Sequence, residues 1–95
     1  MGTFHDGKGE YHGITIVVDT HGPAIFIGRC DTVTDRGVFL FDADVLEAGD
    51  ASDVSAAKDA WVRRAAQVGY WKKVERLHVP ADDVASIRRL AEVAG

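Results

Sequence analysis

Apolar residues follow two rhythms along this chain: short β-branched runs between positions 14 and 45, and a three-to-four-residue recurrence from about position 53. Ile14-Thr15-Ile16-Val17-Val18 is a β-branched run and predicts a strand. Thr20-His21-Gly22-Pro23 is turn chemistry, with Gly22 for backbone freedom and a proline that cannot donate to a central ladder. Ala24 to Cys30 predicts a second strand, with Gly28 marking a bulge or sharp bend. Asp35-Arg36-Gly37 is the next turn, and Val38-Phe39-Leu40-Phe41 starts a third strand running to Val45.

The third strand is apolar on both faces. Val38 and Leu40 point one way, Phe39 and Phe41 the other. A small antiparallel sheet usually wets one face, so something must cover each: a helix, the far side of a barrel, or a second subunit.

Beyond position 50 the period changes. Asp50-Ala51-Ser52 can cap a helix over 53–68, whose stripe is Val54, Ala57, Trp61, Ala65 and Val68, with Lys58, Arg63 and Arg64 off it. Gly69 stops it. Residues 72–79 alternate weakly and predict a fourth strand, ended by Pro80. Residues 82–94 predict a second helix, with Val84, Ile87, Leu90 and Ala94 on one side, acids at its start and Arg88-Arg89 near its end. The first thirteen residues, with four glycines, predict a loose arm. The fold class expected is α+β: a small, strongly bent antiparallel barrel of order β-β-β-α-β-α.

Ninety-five residues make one domain, able to fold alone with little stability to spare. No run approaches the ~20 apolar residues of a membrane span, and the first residues hold no apolar leader, so no membrane is expected. A single cysteine, Cys30, cannot form an internal disulfide, and a reducing cytoplasm is the expected compartment.

The formal charge of −4 is unevenly spread. Residues 1–55 carry three bases and ten acids, or −7; residues 56–95 carry eight and five, or +3, and the two sum to −4. Either the halves face each other within one fold, or one subunit's acidic side meets another's basic side. An acidic chain is a poor nucleic-acid binder by default.

Val17-Val18, His21-Gly22-Pro23, Ile27-Gly28-Arg29-Cys30, Asp35-Arg36-Gly37 and Leu40-Phe41-Asp42-Ala43 stand in sequence as strand, turn, strand bending at glycine, turn, and strand leading into an Asp-Ala step. That arrangement resembles the core of the Sm-like small barrels over about a third of the chain. The resemblance implies a bent barrel, assembly into six- or seven-membered rings, and RNA bound around the pore. The family's loop aspartate belongs six residues after the glycine; Thr34 stands there, Asp35 follows, and the chain has no asparagine. Its later Ile-Arg-Gly-like step is replaced by Arg76-Leu77-His78-Val79-Pro80.

Candidate chemistry is sparse. His5, Asp6 and His12 could gather a metal but lack a standard ligand spacing. Cys30 could act as a nucleophile with His21 or His78 as base and Asp31 orienting it, though a cysteine among apolar residues is more often buried and inert. Asp31, Asp35, Asp42, Asp44 and Glu47 are dense in carboxylate without calcium-loop spacing. Trp61, Tyr70 and Trp71 lie among Arg63, Arg64, Lys72 and Lys73, a set that can stack bases and hold phosphates, or pack in the ordinary way.

The function expected is that of a non-enzymatic binding or assembly module, homo-oligomeric, with Phe39 and Phe41 at the subunit interface and no cofactor. The alternative is an RNA-binding Sm-like protein with Arg63, Arg64, Tyr70, Trp71, Lys72 and Lys73 at the contact. A second alternative is a small metal protein or enzyme.

Overall fold

The structure, a computed structural model, describes residues 11–93. Five antiparallel strands form one sheet: β1 (Thr15–Thr20), β2 (Ala24–Thr34), β3 (Gly37–Glu47), β4 (Val74–Pro80) and β5 (Val84–Arg89). Their spatial order is β4-β3-β2-β1-β5. One helix, α1 (Val54–Val68), stands between β3 and β4 among the described residues. The arm expected over 1–13 lies outside the described residues except for its last three. Those three are held: the Gly13 amide donates to the Cys30 carbonyl at 2.8 Å.

The sheet cannot be flat. Its edge strands β4 and β5 would stand roughly 19 Å apart across four ~4.8 Å strand spacings. Yet only the 3-10 turn Ala81–Asp83 joins them, and such a turn rises ~2 Å per residue. The sheet therefore curls until its edges converge at that end. Both hairpin turns bond to the same connection: the Ala81 amide donates to the Arg36 carbonyl at 3.0 Å, and the His21 amide to the Asp83 carbonyl at 3.1 Å. No ladder pairs β4 with β5, so the sheet is curled but not closed into a barrel.

Extra residues bend the strands. Gly28 faces both Asp42 and Ala43, since the register passes from Ile27↔Asp44 to Arg29↔Phe41. A Cβ on Gly28 would stand 2.9 Å from that of Ala43, so the close approach needs glycine. Asp42 takes the left-handed conformation, φ 47°, that such a step demands. Asp31 is a second extra residue, between the pairs Cys30↔Leu40 and Thr32↔Phe39.

One face of the curl encloses Ile16, Val18, Cys30, Val38, Leu40, Ala43 and Val79. The other carries Val17, Ile25 and Ile27 against Val62 and Ala65 of α1. Asp53 caps the helix, its carboxylate accepting from the Ala56 amide at 3.0 Å. The buried stripe is Lys58, Val62 and Ala65, one position round from the expected one; Val68 is 72% exposed.

The helix expected over 82–94 is a strand instead. β5 pairs with β1 through Ile87↔Val18 and Thr20↔Val84, with Ala85 as the extra residue between Ser86 and Val84. That bulge puts Val84 and Ile87, three apart, on one face of a strand, where both pack into the first core. Bulged strand and helix thus share the same apolar spacing. The order is β-β-β-α-β-β, and the proposed dipole role of Asp82, Asp83, Arg88 and Arg89 falls with the helix.

Candidate functional site

β3 pairs with β4 so that Phe39 faces His78 and Phe41 faces Arg76. Alternation sends Val38 and Leu40 into the core and both phenylalanines out. Phe39 stacks on the His78 ring at 4.3 Å between centroids and 8° between planes. The Arg76 guanidinium sits 5.1 Å from the centre of Phe41. These groups and Asp31 line a shallow depression of about 250 Å³. Neither phenylalanine belongs to the cluster under α1, which covers only the Val17–Ile25–Ile27 part of this face. The second apolar face is therefore half covered by the helix, and its Phe39–Phe41 part by two planar polar side chains at the β4 edge.

The aromatic and basic residues after α1 separate into three situations. Arg63 is paired with Asp59, four residues back on the same exposed helix face, at 3.0 Å. Lys73 is drawn to the buried Asp44 at 3.5 Å. Arg64, Tyr70 and Trp71 come together with Val68 and Gly69 around a depression of about 270 Å³. Gly69, at φ 89°, ends the helix and turns the chain there. Trp71 projects, 76% exposed, with exposed Lys72 beside it. Tyr70 instead packs inward with Trp61 on the second core. Burial raises its pKa, while a hydrogen bond from the Thr15 hydroxyl to its phenolic oxygen acts in the opposite sense.

The catalytic candidate does not assemble. Cys30 is buried in the first core. Burial pushes its thiol up to about 11, and the neighbouring Asp31 charge adds to that. A nucleophilic cysteine needs the opposite shift. His78 is stacked on Phe39 with Nε2 3.0 Å from the Arg36 carbonyl, and His21 is exposed at the β1–β2 turn. The carboxylates are likewise dispersed. Asp44 is buried and accepts from its neighbour's Val45 amide at 2.8 Å, while Asp31 and Asp42 are strand irregularities. No group of three His, Cys, Asp or Glu side chains among the described residues could hold a metal. His5 and Asp6 lie outside the described residues; His12 Nδ1 meets the Asp31 carbonyl.

Two features carry no signal in the sequence. Lys58 is buried at 7% exposure. Its Nζ donates to Asp19 Oδ1 at 2.7 Å, the Gly22 carbonyl at 2.6 Å and the Thr20 carbonyl at 3.1 Å. All three ammonium donors are thus used to fasten α1 to the β1–β2 turn. That turn, Phe26 of β2 and the β4 end line a third depression of about 250 Å³. The partners are some forty residues apart in sequence, so no local spacing announces them.

No helix among the described residues is long and apolar enough to cross a membrane. The chain matches no known family model and no curated protein.

Proposed function

We propose that this chain is a non-enzymatic assembly module of Sm-like shape whose copies join head to tail into a homo-oligomeric ring. The observation that carries the reading is the pair of unpaired sheet edges. Among the described residues, β4 and β5 each present a row of backbone donors and acceptors with no strand beside them. Such edges are templates for another chain. The two edges differ, so a β4-to-β5 contact between copies is heterologous and closes when its rotation does. Antiparallel pairing in central register sets Glu75 of one copy near Arg88 of the next, a mixed-sign seam. The Phe39–Phe41 row lies one strand in from that seam.

The Sm-like reading draws support from Gly28 and the Asp42-Ala43 step. These two parts of the resemblance lie about fourteen residues apart and face each other at a register change between β2 and β3, where a Cβ on Gly28 has no room. The test is the mass in solution by size-exclusion chromatography with light scattering. A fixed multiple of the chain mass is expected at tens of micromolar, and a strict monomer there overturns the reading.

RNA binding is a second reading, favoured by one observation: Arg64 and the projecting Trp71 share a depression beside Lys72. Stacking on Trp71 with phosphates on the two bases fits single-stranded nucleic acid. Binding that falls as salt rises from about 50 to 200 mM is then expected, and no binding at the lower salt removes the reading.

A further inference from the structure

Val68 and Trp71, 72% and 76% exposed, are the large apolar side chains most open to solvent among the described residues. They flank the Gly69 turn, with Arg64 at the same depression and Lys72 adjoining. Two local bases are already spent, Arg63 on Asp59 and Lys73 on Asp44. No ion pair within the described residues engages Arg64 or Lys72.

A complementary surface lies elsewhere on the same chain. The depression at the β1–β2 turn has apolar walls of Pro23, Phe26, Val79 and Pro80, with Asp83 at its mouth. Exposed Glu47 adjoins it through the Ala24↔Glu47 pair, exposed Asp82 stands beside Asp83 in the same 3-10 turn, and exposed Asp50 lies in the turn that follows Ala48, whose amide bonds to Pro23. The buried Lys58 beneath is matched by Asp19, so the rim is acidic. The walls are fixed before anything binds. The Pro23 carbonyl accepts from the Ala48 amide at 3.0 Å, the His21 amide holds the Asp83 carbonyl, and Lys58 holds the Thr20 and Gly22 carbonyls. At about 250 Å³ the space suits one large side chain and falls below the ~300–1,000 Å³ of sites for drug-sized ligands.

We infer that Trp71 of one copy docks into the Pro23–Phe26–Pro80 depression of a second copy, with Arg64 and Lys72 facing Asp82, Asp83 and Glu47. A projecting aromatic flanked by bases meets a preformed apolar hollow rimmed by acids. A tryptophan so buried removes on the order of 200 Å² from water, the kind of central anchor that dominates an interface. The charge complementarity speeds and orients the encounter. Knob and hollow are different surfaces, so the contact is heterologous, like the edge pairing. The inference rests on the assembly reading and names a side-chain contact for it in addition to the edge pairing.

The test uses the full chain and two variants at exposed positions, Trp71→Ala and Asp83→Lys, each checked for unchanged circular dichroism. Each is expected to weaken self-association about tenfold or more, read as the dissociation constant from sedimentation velocity. The first keeps its hollow and the second its tryptophan. Mixing the two is therefore expected to restore one intact contact and association tighter than either variant shows alone. In a Trp61→Phe background, Trp71 emission is expected to move to shorter wavelength as concentration rises through the association range. If Trp71→Ala associates as tightly as the parent, or the emission stays put while mass increases, the docking is wrong and the assembly reading stands. A parent chain that is monomeric throughout overturns both.

Discussion

Replacing Lys58 by methionine removes a buried charge and three hydrogen bonds while keeping an apolar stem of similar length. Nζ donates to Asp19 Oδ1 at 2.7 Å, the Gly22 carbonyl at 2.6 Å and the Thr20 carbonyl at 3.1 Å. A hydrogen bond to a charged group is worth ~1.5–3 kcal/mol. The three do not sum to that scale. The Asp19 side chain is 32% exposed and water takes over part of its demand, as it does for the exposed Gly22. The substitution also relieves the cost of desolvating the ammonium. The term that remains is chiefly the Thr20 carbonyl, in a buried residue, and the loosening of α1 from the β1–β2 turn. The expected loss is about 2–3 kcal/mol, which for a domain of this size lowers Tm by roughly 10–20 °C.

Asp19→Asn keeps the two carbonyl bonds and is expected to lose about 1–2 kcal/mol, with the double variant less destabilised than the sum. Urea titration followed by far-ultraviolet circular dichroism, at two protein concentrations to separate folding from assembly, reads these values. A loss below about 0.5 kcal/mol for Lys58→Met would mean that Lys58 does not fasten α1 to the β1–β2 turn.

Gly28→Ala puts a Cβ 2.9 Å from the Ala43 Cβ and 3.1 Å from the Phe41 carbonyl oxygen; thermal unfolding is expected to show a loss of about 1–3 kcal/mol, and an unchanged Tm contradicts the tight bend. The Cys30 thiol is raised from its ordinary 9.0 to about 11. Stability against urea is therefore expected to hold below pH 9 and to fall between 9 and 11, as the unfolded chain ionises first. That fall amounts to about 2–3 kcal/mol at most, is absent in Cys30→Ala, and a slope that survives the substitution belongs to another group.

The three-strand meander was legible because β-branched runs and Gly, Pro and Asp turns mark it locally, and each hairpin closes over a few residues. The helix was legible from its period, but its buried face was not. Lys58 stands on that face because its ammonium reaches carbonyls of a turn some forty residues earlier, and no helical pattern reveals a distant acceptor. β5 was missed because the bulge at Ala85 gives a strand the three-residue spacing of a helix. Of the candidate surface, Phe39 and Phe41 were legible from alternation alone. The fate of the basic set was only half so. Asp59, four residues before Arg63, is a local partner, whereas the Asp44 that takes Lys73 is known only from the fold. The acidic hollow joins the β1–β2 turn to the β4 end, a juxtaposition that only the curl of the sheet creates.

The proposed assembly pairs the two open sheet edges, β4 and β5, between copies. Amide hydrogen exchange of β4 and β5, measured by nuclear magnetic resonance or mass spectrometry across the association range, addresses it directly. Alternate amides of both strands are expected to gain protection together as concentration rises, because every second donor on an edge points outward. Edge amides that exchange equally fast at all concentrations, while the interior strands β1, β2 and β3 stay protected, would contradict it.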